Sequence, residues 1–63
     1  MWQWVATVSE VPGVAGLVFG GRAHLTDAPL TGAYVRVACG AMAMTFLAPA
    51  TLPRCPRCLT AHR

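Results

Sequence analysis

Lysine is absent from this 63-residue chain and acid is scarce, Glu10 and Asp27 being the only two carboxylate side chains. Without lysine there is no phosphate-cradling loop of the Lys-Ser/Thr kind, and Gly13, Gly16, Gly20 and Gly21 do not fall into dinucleotide-binding spacing. A catalytic metal site wants an open position and a nearby carboxylate as general base. One glutamate and one aspartate give it little to draw on, and an enzyme is not expected. Charged residues make up 11% of the chain where about 25% is usual. Five arginines leave a formal net charge of +3, too weak a field to argue for nucleic acid on charge alone.

Long apolar runs are missing too. Residues 37–52 carry no charge, but they fall short of the roughly 20 residues of a spanning helix, contain Pro49 and follow Arg36. No membrane partner is expected. At the N-terminus no basic residue precedes the apolar stretch and Glu10 interrupts it, so a secretory leader is not expected and the cytoplasm is. The last shortage is of an even cysteine count: with Cys39, Cys55 and Cys58, any disulfide scheme leaves one thiol over.

What is present is apolar. The fraction reaches 56%, eleven alanines included. A chain this short buries only about 60% of its unfolded surface, so its core needs a staple and many apolar groups stay outside. The second point leads us to expect a protein partner or self-association.

Cys55-Pro56-Arg57-Cys58 offers the staple. Two residues between cysteines put both sulfurs on one side of a tight turn, within reach of one tetrahedral ion, and Pro56 helps fix that turn. Cys39-Gly40 adds a third sulfur where the backbone can turn sharply. Three cysteines and one histidine make a Cys₃His shell of the kind structural zinc uses, and it absorbs the odd cysteine count. The histidine is left open between His24 and His62. His24 is placed at the end of a strand or in the loop after it; His62 lies four residues beyond Cys58, on the same face if a helix follows the cysteine. Three thiolates and one Zn²⁺ carry a net −1, leaving the whole near +2.

Period-two alternation places strands at residues 1–8, with Trp2, Trp4 and Ala6 on one side, and at 33–38, with Tyr34, Arg36 and Ala38 opposite Val35 and Val37. Residues 14–19 read as another short strand, joined to the first through a turn over residues 9–13 that holds Pro12 and Gly13, so residues 1–21 form an expected hairpin. Residues 41–48 suit a helical turn or a returning strand equally. The expected fold is a single domain over residues 1–63, small and mainly β: a zinc-ribbon-like antiparallel sheet of three or four short strands, with a short C-terminal helical turn. Within it, residues 22–63 are the zinc-binding part.

The order His24-Leu25, Cys39-Gly40, Cys55-Pro56-Arg57-Cys58-Leu59 resembles the short zinc-finger proteins of high-GC actinobacteria, which carry His-Leu, Cys-Gly and a terminal Cys-x-x-Cys-Leu in that order. The resemblance covers about the C-terminal two thirds of the chain. It implies His24, Cys39, Cys55 and Cys58 as ligands of one structural Zn²⁺, and it implies little about activity. Two roles follow as expectations. The first is a zinc-stapled interaction or regulatory module that self-associates or holds a protein through apolar and aromatic side chains. The alternative is a nucleic-acid-binding zinc finger using Arg54, Arg57 and Arg63 on phosphate.

Overall fold

In the computed structural model, which describes residues 1–10, 13 and 17–62, the alternating N-terminal stretch forms two strands, β1 (Gln3–Ala6) and β2 (Val8–Glu10). Thr7 divides them. Its carbonyl accepts the Gly20 N–H at 2.9 Å and its hydroxyl accepts the Met44 N–H at 3.4 Å, so the chain is held at that point from two directions. Only β2 pairs with β3 (Leu17–Phe19), Val8 opposite Phe19 and Glu10 opposite Leu17. Of the strand expected over residues 1–8 only Val8 joins this hairpin, and Ser9 and Glu10, expected in the turn, extend the strand, because residues 3–6 pair with other strands. Residues 11, 12, 14–16 and 63 lie outside those described, and with them part of the expected second strand and Arg63.

β1 pairs elsewhere. It lies between β4 (His24–Thr26) and β7 (Phe46–Leu47) in a three-stranded antiparallel sheet, with Val5 opposite His24 on one side and Leu47 on the other. Val5 and Ala6 point to opposite faces of this strand and both are wholly buried, so its C-terminal half is covered on both faces. β5 (Tyr34–Arg36) and β6 (Met42–Met44) form a separate antiparallel pair, Tyr34 opposite Met44 and Arg36 opposite Met42. The expected alternation holds as far as Val37, with Tyr34 and Arg36 exposed, Val35 half-buried and Val37 buried, whereas Ala38, expected beside Tyr34 and Arg36, packs against the core because the strand ends at Arg36.

The stretch that fits a helix or a strand is strand. Its two halves, β6 and β7, serve different sheets and are separated by the buried Thr45. The Thr45 N–H and hydroxyl both donate to the Ala33 carbonyl, at 3.0 and 3.1 Å, and its oxygen accepts the Gly32 N–H at 2.9 Å. With its polar atoms satisfied, a buried threonine costs little, and it redirects the chain from β5 to β1. Gly32 at φ 83° is needed there, because a Cβ would come within 3.1 Å of the Phe46 ring.

The C-terminal helix α1 (Pro56–His62) starts at the proline, which suits a first helical position, and so takes in Cys58 rather than following it. Small, mainly β, antiparallel and closed by one short helix, the fold is the expected class, divided among seven strands in the described residues rather than three or four. Its hydrophobic core consists of Val5, Leu25, Val37, Ala43, Cys55 and Cys58, with Trp4, Val35, Ala38 and Cys39 packed against it. Two of those six are cysteines, so core and site are built from the same side chains. Among the described residues, no helix is long and apolar enough to cross a membrane.

Candidate metal centre

His24 opens β4, where the sequence reading placed it at a strand's end or beyond. The main chain on either side of it gathers the other candidates. The Ala23 carbonyl accepts the Cys55 N–H at 2.8 Å, while the Ala23 N–H donates to the Pro53 carbonyl at 2.7 Å. On the far side, the Leu25 carbonyl accepts the Ala38 N–H at 2.8 Å. These bonds tie the start of the Cys-x-x-Cys turn and the residue before Cys39 to the two neighbours of one histidine. The histidine strand is the hub of the site.

Cys39 occupies the turn joining β5 to β6. That turn is closed by the Val37 N–H on the Ala41 carbonyl (2.8 Å) and the Gly40 N–H on the Val37 carbonyl (2.9 Å), with Gly40 at φ 90°. A side chain is strained in that conformation, which explains the glycine. Cys55 is the residue before the first helical position, and the Leu59 N–H reaches its carbonyl at 3.3 Å. At this N-cap the sulfur takes the place of the usual side-chain oxygen. Burial works to raise the Cys55 pKa. The backbone N–H groups of Cys58 and Arg57 and the thiols of Cys39 and Cys58 outweigh it, holding the group below its ordinary value. At Cys58 burial prevails and pushes the thiol up, against the backbone bonds from Leu25 and Cys39.

The ligand atoms of His24, Cys39, Cys55 and Cys58 all lie within 4.8 Å of one another. His24 Nδ1 is 3.7 Å from Cys39 Sγ and 3.5 Å from Cys58 Sγ. One ring nitrogen carries at most one proton, so it cannot donate to both sulfurs at once. The distances match another arrangement. For a tetrahedral ion with bonds of about 2.3 Å to sulfur and about 2.0–2.1 Å to nitrogen, the N···S edge is about 3.6 Å. The four residues can hold one metal ion, with Nδ1 as the imidazole ligand atom. Burial, then the nearby Arg22 charge, lowers the His24 pKa from its ordinary 6.5, keeping the ring neutral and its lone pair available at neutral pH.

His62 goes elsewhere. Its ring stands edge-on to Trp2, centroids 4.6 Å apart and planes at 72°, because α1 turns Cys58 into the core and leaves His62 exposed. The arginines offered for phosphate separate as well. Arg54 lies with its guanidinium carbon 4.9 Å from the centroid of the Trp4 ring, whereas Arg57 lines a groove beside Cys39. The Trp4–Arg54 stack is a contact that sequence reasoning missed; fifty residues of separation carry no local pattern. Neither a family model nor a curated protein nor a solved structure matches this chain.

Proposed function

We propose that the chain is a structural-zinc module acting as a protein-interaction or regulatory unit, and that it self-associates through the outer face of β5 and β6. The observation that carries the metal reading is the convergence of three sulfurs and one imidazole within 4.8 Å of one another at the edge of the core, with the two N···S separations at 3.7 and 3.5 Å close to a tetrahedral edge. Thiolate-rich shells select zinc over magnesium, calcium or manganese, which prefer oxygen. A four-ligand shell with three sulfurs is closed, and this favours a structural over a catalytic role. The thiols stay reduced in the cytoplasm, the compartment that fits this reading. The order of ligands supports kinship with the short zinc-finger proteins named above.

Self-association rests on the exposed ladder. Directly opposed pairs share a face, so Tyr34 and Met44 stand beside Arg36 and Met42 on the side away from Val35 and Ala43. Tyr34 is 61% and Met42 55% exposed. Tyrosine, methionine and arginine are the types enriched at protein interfaces. Burying about 800 Å² per copy, the standard size, would cover about a fifth of the 4310 Å² surface. A two-fold partner of like sequence can set Arg36 of one copy over Tyr34 of the other. Native mass spectrometry of chain produced with zinc reads metal and copy number together. One zinc per chain in a dimer is expected, and Tyr34→Asp with Met42→Asp should return it to monomer. A zinc-loaded wild-type monomer at high micromolar concentration would refute the self-association, and a folded metal-free chain would refute the zinc.

A further inference from the structure

The three cysteines are unequally placed. Cys58 is fully buried and Cys55 nearly so, both within the core, while Cys39 sits half-exposed in its turn. Beside Cys39 runs an open groove of about 410 Å³, walled by Ala38, Pro56, Arg57, Thr60 and Ala61. That volume falls in the range of small-molecule sites, and among the described residues Arg57 is the charged one on its wall. Of the three cysteines only Cys39 lines this groove.

We propose that Cys39 is the site at which a hydroperoxide oxidises this centre, and that the resulting disulfide with Cys55 or Cys58 expels the metal. The inference rests on the zinc reading above. The Cys39 thiolate attacks the terminal oxygen of the hydroperoxide; an S–O bond forms, the O–O bond breaks, and the alcohol or water leaves with a proton. Arg57 offers N–H donors for the charge that builds on the departing oxygen. A second sulfur, already within 4.8 Å, then attacks the Cys39 sulfur. An S–S bond forms, the S–O bond breaks, and water leaves with a second proton. Two thiolates lose two electrons, which the peroxide takes up. The ion is left with two of its four ligands and departs.

Arginine cleavage makes the test direct, because Arg36, Arg54 and Arg57 divide the three cysteines among three different peptides. Zinc-loaded full-length chain is treated with hydrogen peroxide, with and without dimedone to trap sulfenate, and zinc release is followed with a chromogenic chelator. Dimedone is expected on the Cys39 peptide in more than about tenfold excess over the other two, as exposure of the sulfur dictates. Without the trap, a disulfide should join the Cys39 peptide to one of the others as zinc appears. Arg57→Gln should slow both events by at least about threefold while keeping one zinc per chain, the loss of one charge-stabilising donor being the cause. First trapping at Cys55 or Cys58, or a Cys55–Cys58 disulfide with Cys39 still reduced, overturns the proposal even when zinc is bound. Chain that never binds zinc fails the earlier reading instead, and the two failures are told apart by the zinc count before peroxide is added.

Discussion

Removing the metal should unfold the chain, and the size of the effect follows from the core. Among the described residues, Val5, Leu25 and Val37 are its large aliphatic side chains, and each contributes about 1.5–3 kcal/mol on full burial. Together they supply roughly 5–9 kcal/mol, against about 10–16 kcal/mol for a structural zinc of this type. The ion outweighs the aliphatic core. Stability should therefore track free zinc by mass action, rising about 1.4 kcal/mol for every tenfold increase above the dissociation constant. For a chain of this size that is roughly 6–11 °C in melting temperature per decade of free zinc. Thermal unfolding followed by circular dichroism in zinc-buffered, reducing solutions measures the slope. At the low-zinc end, the dispersed amide spectrum of a folded protein should collapse. A melting temperature that does not move across four decades of free zinc, or dispersed amides after exhaustive chelation, would refute the reasoning.

His24→Ala should lower zinc affinity by more than the roughly 10–100-fold that losing an outer partner of a ligand costs, whereas His62→Ala should keep one zinc per chain and lose only the Trp2 contact, about 0.5–1.5 kcal/mol; competition with a chromogenic chelator reads both. In the zinc form, long-range nitrogen–proton correlation should find the His24 proton on Nε2, since Nδ1 faces two sulfurs at 3.7 and 3.5 Å. A ring protonated at Nδ1 would contradict the site. Acid should release the metal. The folded His24 pKa lies below its ordinary 6.5, so the folded state binds fewer protons than the unfolded one over that interval. Its contribution is complete above 6.5 and is lost as pH falls through the folded value, in the same direction as proton competition for the ion, and melting temperature against pH should fall on that side. Gly40→Val places a β-branched side chain at φ 90°, costing about 1–3 kcal/mol, and should weaken zinc binding roughly five- to 150-fold if the Cys39 turn is strained only in the bound state.

Short-range chemistry was legible in the sequence, and long-range choice was not. Cys55 and Cys58 are locked together by two intervening residues, and Gly40 announces its own φ, so both turns could be read without knowing what surrounds them. Tyr34–Arg36 could be read for the same reason, since alternation within one strand needs no partner. The histidine could not be settled from residue spacing alone. Four-residue spacing puts His62 on the Cys58 face of a helix, yet α1 is pinned at its start by Cys55 on Ala23, and that anchor leaves His62 against Trp2. Alternation likewise marked residues 1–8 as extended without saying to what. The break at Thr7 depends on Gly20 and Met44, thirteen and thirty-seven residues away, and no local pattern reports such bonds.

The same bonds explain how a chain with so small a core can aim four ligands at one point. Cys55 and Cys39 are positioned by main-chain carbonyls on either side of His24, and β4 is itself registered on β1 through Val5. Backbone hydrogen bonds therefore set the spacing of the donor atoms, and side-chain packing refines it. Each such bond contributes only about 0.5–1.5 kcal/mol net, so none of them alone fixes four donor atoms at one point. An ion at the centre would join the four donors and make these bonds cooperative with one another. The ladder places the donors and a bound ion would supply the larger share of the stability, so the two would fold as a single unit.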